Sequence, residues 1–217
     1  MNLNIFWEYL LSIILPKGQN VSLIENMTEE EIVRDIELSD EIIDEKYKAL
    51  FQYKNKIARN AIWEIKYRGN KKIVSRFSKL LYEFIINEVS DEISFSNFNN
   101  PLLVPIPKSK ASLREKGFNQ SELIVKEISR IDESKNFEMS LDSLRKIKET
   151  AQQSKLKNRA ERLKNLIGCF SADSEKVRGR CVILIDDVIT TGATMKEASK
   201  TLREAGAKKV LGFAISH

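Results

Sequence analysis

Two cysteines, one histidine, eight glycines and four prolines in 217 residues exclude several common chemistries at the outset. Cys169 and Cys181 stand too far apart for a C-x-x-C site, and no further pair exists to complete a zinc ribbon, so no zinc is expected. Both read as packing residues of a reducing compartment, with Cys181 at the entry to a buried strand. The single histidine, His217, is the last residue. That sets aside histidine triads, histidine-ligated metals and a histidine general base. No apolar run approaches the roughly 20 residues that a spanning helix needs. The apolar stretch from Met1 to Leu15 contains Glu8 and has no basic leader. It reads as an amphipathic helix that docks on the protein or on a partner, with an interfacial membrane role as the alternative. The expected location is cytoplasmic, with no membrane partner.

Hydrophobic residues make up 42% of the chain and charged residues 31%, the balance of a charged globular protein. The length suits one α/β domain with an appendage. A net charge of +5 is compatible with phosphorylated ligands or nucleic acid and decides between neither.

The most informative stretch is Val182-Ile183-Leu184-Ile185-Asp186-Asp187-Val188-Ile189-Thr190-Thr191-Gly192-Ala193-Thr194. Its aliphatic run lacks polar alternation, which predicts a strand buried on both faces in a parallel sheet. Asp186 and Asp187 then fall at the carboxyl end, where open α/β sheets hold their ligands. The hydroxyl- and glycine-rich turn leads into a helix over Met195 to Glu204. The first amides of that helix are free donors at the positive end of its dipole. Carboxylates beside a phosphate cradle suit a sugar phosphate, the acids accepting from a vicinal diol and biasing Mg²⁺ nearby. The acids are expected at a solvent-facing strand end.

Elsewhere the pattern alternates. Pro16 to Asn20 predicts a turn, and Thr28 with Glu31 a capping box opening an acidic helix with Ile32, Val33 and Ile36 on one side. Tyr47 to Tyr53 predicts a half-buried strand. Two helices follow, one ending at Lys66-Tyr67-Arg68-Gly69 with Gly69 as its cap, the other running from Lys71 to Val89. Lys66 and Arg68 around Tyr67 fit either an anion contact or an ordinary solvated helix end. Asn97 to Asn100 is the linker. Leu102 to Pro107 predicts a short buried strand, followed by a loop with Lys108 and Lys110, then a helix after Gly117-Phe118-Asn119-Gln120. Further strands are expected at Leu141 to Ile147, Ile167 to Phe170 and Lys209 to Ser216. Between them, Arg145 to Lys164 is strongly basic; composition fits a solvated basic helix and a lid over a polyanion equally.

The string from Val182 to Thr194 resembles the phosphoribosyl-pyrophosphate (PRPP) motif of type I phosphoribosyltransferases. Together with Lys66-Tyr67-Arg68-Gly69, Val104-Pro105-Ile106-Pro107, Gly117-Phe118-Asn119-Gln120 and the Thr150-x-Gln152…Arg159…Asn165…Phe170 spacing, it is similar to the ComF family of competence-associated proteins. The resemblance runs from about Tyr47 to Ser216. It implies an α/β fold: a type I phosphoribosyltransferase (Rossmann-like) core with a central parallel sheet, plus a mainly helical N-terminal region. The implied divisions are residues 1–45 in place of the family's four-cysteine zinc module, a hood over 46–99, and the core over 100–217. A second departure is Lys116, where the family usually has arginine; charge is kept and the guanidinium fork is lost.

Carried over by position, the resemblance implies that Thr190, Thr191, Gly192, Ala193 and Thr194 hold the 5′-phosphate. Asp186 and Asp187 would face the ribose hydroxyls, with Mg²⁺ nearby and no direct protein ligand set. Pro107, Lys108 and Ser109 would receive pyrophosphate. Lys155, Lys157 and Arg159 resemble the flexible catalytic loop, which favours the lid, and Lys155 and Arg159 join the aspartates as expected catalytic residues. The function implied is Mg²⁺-dependent transfer of phosphoribosyl from PRPP to an acceptor with release of pyrophosphate. The rival is a PRPP sensor or DNA-uptake accessory without turnover. Single-stranded DNA, competence machinery and a second copy of the chain stand as further partners. The acceptor is not legible, because the hood lies in the divergent half.

Overall fold

The computed structural model describes residues 19–36, 38–39, 45–95, 98, 100–148 and 166–217. In chain order the elements are α1 Gln19–Asn26, α2 Glu29–Asp35, β1 Tyr47–Phe51, α3 Lys56–Arg68, α4 Lys71–Phe95, β2 Leu102–Pro105, α5 Lys110–Lys116, α6 Gln120–Ile131, β3 Glu138–Met139, β4 Leu144–Lys146, β5 Phe170–Ala172, α7 Ser174–Val177, β6 Cys181–Val188, α8 Ala193–Glu204 and β7 Lys209–Ser216. Five strands form one sheet in the order β1-β7-β6-β2-β3. Every pairing in it is parallel. β4 and β5 make a separate antiparallel pair.

The continuous apolar run places β6 in the centre, with β7 and β2 on either side. Successive residues point to opposite faces, so two cores form. Leu103, Ile183, Ile185, Phe213 and Ile215 pack with Ile62 and Ile65 of α3, Phe77 and Leu81 of α4, and Ile124 and Ile128 of α6. Leu102, Val104, Val182, Leu184 and Ala214 pack with Ala198 and Leu202 of α8, Leu144 and Phe170. Both faces of the sheet are therefore covered, which is the condition parallel strands require. Cys169 and Cys181 are buried free thiols in these cores.

The expected parallel α/β core is present. Several local details differ for identifiable reasons. β1 exposes only Lys48, rather than alternating: Tyr47 packs into one core and Leu50 and Phe51 into the other, and residues 38–39 cover its outer edge through Ser39 N–H to the Leu50 carbonyl (2.9 Å). The capping box of α2 forms, yet Val33 is 41% exposed; only Ile32 and Ile36 reach the core. Gln19 and Asn20 begin α1 where a turn was expected. α4 continues past Val89 to Phe95. The expected strand at 141–147 narrows to β4, and that at 167–170 shifts to β5. Lys110 opens α5, not a loop, because Ser109 accepts the Ser112 amide and caps it. Among the described residues, no helix is long and apolar enough to cross a membrane. The segment Met1–Leu15 lies outside the described residues.

Candidate functional site

β6 delivers Asp186 and Asp187 to the carboxyl edge of the sheet, as the sequence predicts, but not into solvent. They are 7% and 4% exposed, because α6 and the chain after β2 close over them. Ser121 Oγ donates to Asp186 Oδ1 at 2.8 Å, and the Asp187 amide donates to the same oxygen at 3.0 Å. Lys108 Nζ lies 3.4 Å from Asp186 Oδ1 and 3.6 Å from Asp187 Oδ1. One ammonium thus serves two buried carboxylates, and the trio keeps a net negative charge.

The electrostatics follow from that imbalance. Burial pushes the Asp186 carboxyl above its ordinary range; Lys108 opposes the rise and Asp187 adds to it. Burial acts upward on Asp187 too, but Lys108 and Lys66 outweigh it and hold this carboxyl below the usual range. For Lys108, burial acts downward, and the two carboxylates overcome it and raise the ammonium's pKa.

Ser121 escaped the sequence reading. It follows Gly117-Phe118-Asn119-Gln120, and three consecutive side chains there reach three different parts of the protein. Asn119 caps α6 by accepting the Ser121 amide (3.2 Å) and donates to the Ile106 carbonyl (3.1 Å), fixing the chain beyond β2. Gln120 donates to the Lys66 carbonyl at 2.8 Å, holding the end of α3. Ser121 holds Asp186. A buried serine just inside a helix N-terminus is the only signal the sequence offers for it.

The turn after β6 supplies the other half. Gly192 is the N-cap of α8 at φ 70°, in the left-handed region, and makes no side-chain capping bond. By contrast Thr28, Asn55, Ser109, Asn119 and Asp173 each cap their helix with a side-chain oxygen. The positive end of the α8 dipole therefore has no side-chain cap and faces the carboxyl edge of the sheet. Thr191 Oγ1 is buried without a hydrogen-bond partner among the described residues. α8 can lie this close to the sheet because Gly212 on β7 has no side chain; a Cβ there would meet Tyr47 at 2.8 Å and the Met195 sulfur at 3.0 Å.

A cavity of about 530 Å³ joins these parts. Asp186, Asp187, Thr190, Gly192, Ala193, Thr194, Pro107, Lys108 and Ser109 all line it. Thr191 does not, its hydroxyl being turned into the protein. Lys66 and Tyr67 line the wall, as do Lys116 and Gln120. His217, set aside in the sequence, also reaches the cavity, because β7 ends beside β1 and β6 at this edge. Lys110 is exposed and outside the lining. Lys155, Lys157 and Arg159 lie outside the described residues, as does the rest of the stretch from 149 to 165. Among the described residues no group of three or more His, Cys, Asp or Glu side chains is arranged to hold a metal ion.

The model of the phosphoribosyl transferase domain matches residues 78–217. Competence protein ComFC of Streptococcus pneumoniae is 32% identical over 169 residues, covering 78% of this chain and 67% of that protein. The chain belongs to the phosphoribosyl transferase family, in its ComF branch. ComFC of Bacillus subtilis is 29% identical over 180 residues, 82% of this chain and 67% of that protein. DNA utilization protein YhgH of Escherichia coli K12 is 29% identical over 150 residues, 69% of this chain and 62% of that protein. In this family setting, the matched region contains β6, α8 and the whole Asn119–Ser121 tie, whereas Lys66 and Tyr67 precede it.

Proposed function

We propose that the cavity binds PRPP with Mg²⁺ and transfers its phosphoribosyl group to a nucleophilic acceptor, releasing pyrophosphate. The observation that carries this reading is the uncapped N-terminus of α8 beside a buried aspartate pair. The N-terminus of α8, which no side chain caps, suits a terminal phosphate, and the acids suit a vicinal diol. Lys108, now shared between the acids, is placed to meet pyrophosphate once the diol takes its place. Hard carboxylate oxygens fit Mg²⁺, which would be held mainly by the ligand's own oxygens and would neutralise the leaving group. The C1–oxygen bond to pyrophosphate breaks with its electron pair leaving on oxygen, and the acceptor's lone pair forms the new bond to C1. Asp186 and Asp187 offset positive charge developing on the ribose, and the buried setting strengthens that effect. Release of pyrophosphate from PRPP, measured with a panel of bases and amines, tests the reading.

A second reading is supported by the relatives, which are competence and DNA utilization proteins. In it the same cavity binds PRPP without turnover, and the protein acts in DNA uptake. Binding of PRPP with no pyrophosphate release, together with salt-dependent binding of single-stranded DNA, favours this second reading.

A further inference from the structure

One corner of the cavity is charged beyond what the ribose and its phosphates explain. Lys116 Nζ lies 4.8 Å from the centre of the Tyr67 ring, and Lys66 Nζ lies 5.9 Å from it. Two ammonium groups from different elements, the end of α3 and the end of α5, thus converge on one aromatic side chain. Neither makes an ion pair among the described residues, whereas Lys108 is compensated by two carboxylates. A tyrosine face is a weak partner for an ammonium, worth less than a carboxylate. The charged groups around Lys116 are Lys66, Lys108, Asp187 and Glu115; burial, then Lys66 and Lys108, push its pKa down to about 8. Two like charges held together on a half-buried wall mark a place for an anion.

We propose that this corner is an acceptor subsite for a small aromatic acid, whose carboxylate pairs with Lys66 and Lys116 while its ring lies against the wall formed by Tyr67, Tyr53 and Ile62. The proposal rests on the PRPP reading of the neighbouring half of the cavity for its role as acceptor. Pyrophosphate is the competing occupant. It is multiply charged and strongly hydrated and gains nothing from a tyrosine and isoleucine wall, whereas an aromatic acid uses both the wall and the charges. The ties described above set the geometry: Gln120 fixes the Lys66 carbonyl, and Phe118 packs on Gly69, so α3 and α5 present their lysines to the same ring.

The test is calorimetric titration of the full chain with benzoate, 2-aminobenzoate and the pyridinecarboxylates, each beside its neutral amide, and separately with PRPP and Mg²⁺. The acids are expected to bind at least about tenfold more tightly than the amides, as charge-assisted hydrogen bonds require. Lys116→Met and Lys66→Met are each expected to weaken the best acid about tenfold, and Lys116→Met to leave PRPP affinity within about twofold. Lys116→Arg is expected to retain acid binding, which separates charge from folding. Equal binding of acid and amide overturns the proposal, as does failure of every acid to bind. A parallel loss of PRPP affinity in Lys116→Met also overturns it, because the lysines would then serve pyrophosphate. If the wild type binds the acids in this charge-dependent way and does not bind PRPP, the anion subsite stands and the PRPP reading falls.

Discussion

The side-chain amide of Gln120 donates to the backbone carbonyl of Lys66 at 2.8 Å, joining two short motifs that lie 54 residues apart. Phe118, two residues before Gln120, covers Gly69, three residues after Lys66, where a Cβ would sit 3.2 Å from the ring at a backbone φ of 56°. Lys66-Tyr67-Arg68-Gly69 and Gly117-Phe118-Asn119-Gln120 are therefore two halves of one joint. Gly69→Ala is expected to cost about 1–2 kcal/mol, from the left-handed backbone and the crowded ring together. Urea denaturation of the variant checks this, with a lower midpoint at unchanged slope.

Lys108 is the ammonium in contact with both members of a buried acid pair, so removing it should be expensive. Lys108→Met is expected to lose roughly 2–4 kcal/mol at neutral pH, because breaking a buried pair leaves uncompensated charge. In the variant Asp186 keeps the burial that already raises its folded pKa above the ordinary 3.8 and loses the charge that opposes the rise, so its contribution is present at low pH and lost as pH rises through the folded value. The variant's stability should therefore recover as pH falls from about 7 to about 5. In the wild type Asp187 is depressed, and its contribution is present above 3.8 and lost on acidification below that. Between about pH 7 and pH 5 denaturant midpoints should rise more steeply on acidification in the variant than in the wild type, where Lys108 opposes the rise of Asp186.

Lys116 carries a charge disfavoured by burial and by two neighbouring ammoniums. Lys116→Met is expected to raise the stability of the ligand-free protein at pH 7, by roughly 1 kcal/mol, read as a higher melting temperature. Because its pKa is pushed down to about 8, the free site loses one of its two charges as pH rises through that value. Binding of an aromatic acid should weaken between about pH 7 and pH 9 in the wild type. In Lys116→Arg the affinity should be flat over the same range.

Gly212 sits in the middle of β7 with Tyr47 and Met195 closing on either side. Gly212→Val is expected to push α8 from the sheet and to lower both stability and affinity for any phosphate ligand. The direction follows from overpacking, at about 1–3 kcal/mol. A thermal melt with and without ribose 5-phosphate reads both effects.

The central sheet was legible because β6 and β7 are apolar runs bounded by turns, a pattern that only a strand covered on both faces explains. The acid pair and the α8 turn were legible as a string. What was not legible depended on contacts between distant segments. The burial of Asp186 and Asp187 is caused by Ser121 and Lys108, and neither stands near them in sequence. α5 is not legible because its cap, Ser109, stands in a proline- and lysine-bearing stretch that has the pattern of a phosphate loop. β3, two residues long, exists only because β2 offers it a free edge. His217 has no local signal at all; only the parallel order of β1, β7 and β6 brings it to the cavity.

The most direct test of the account is titration calorimetry of the protein with PRPP in the presence of Mg²⁺, beside Asp186→Asn and Asp187→Asn. The wild type should bind PRPP, and each variant should bind it at least about tenfold more weakly, because each loses a charged acceptor for the ribose diol. Binding to ribose 5-phosphate should fall in the same variants, since that ligand carries the same diol. No heat with the wild type at millimolar PRPP, or full affinity retained in both variants, would contradict the assignment of the aspartate pair and the α8 turn as a phosphoribosyl site.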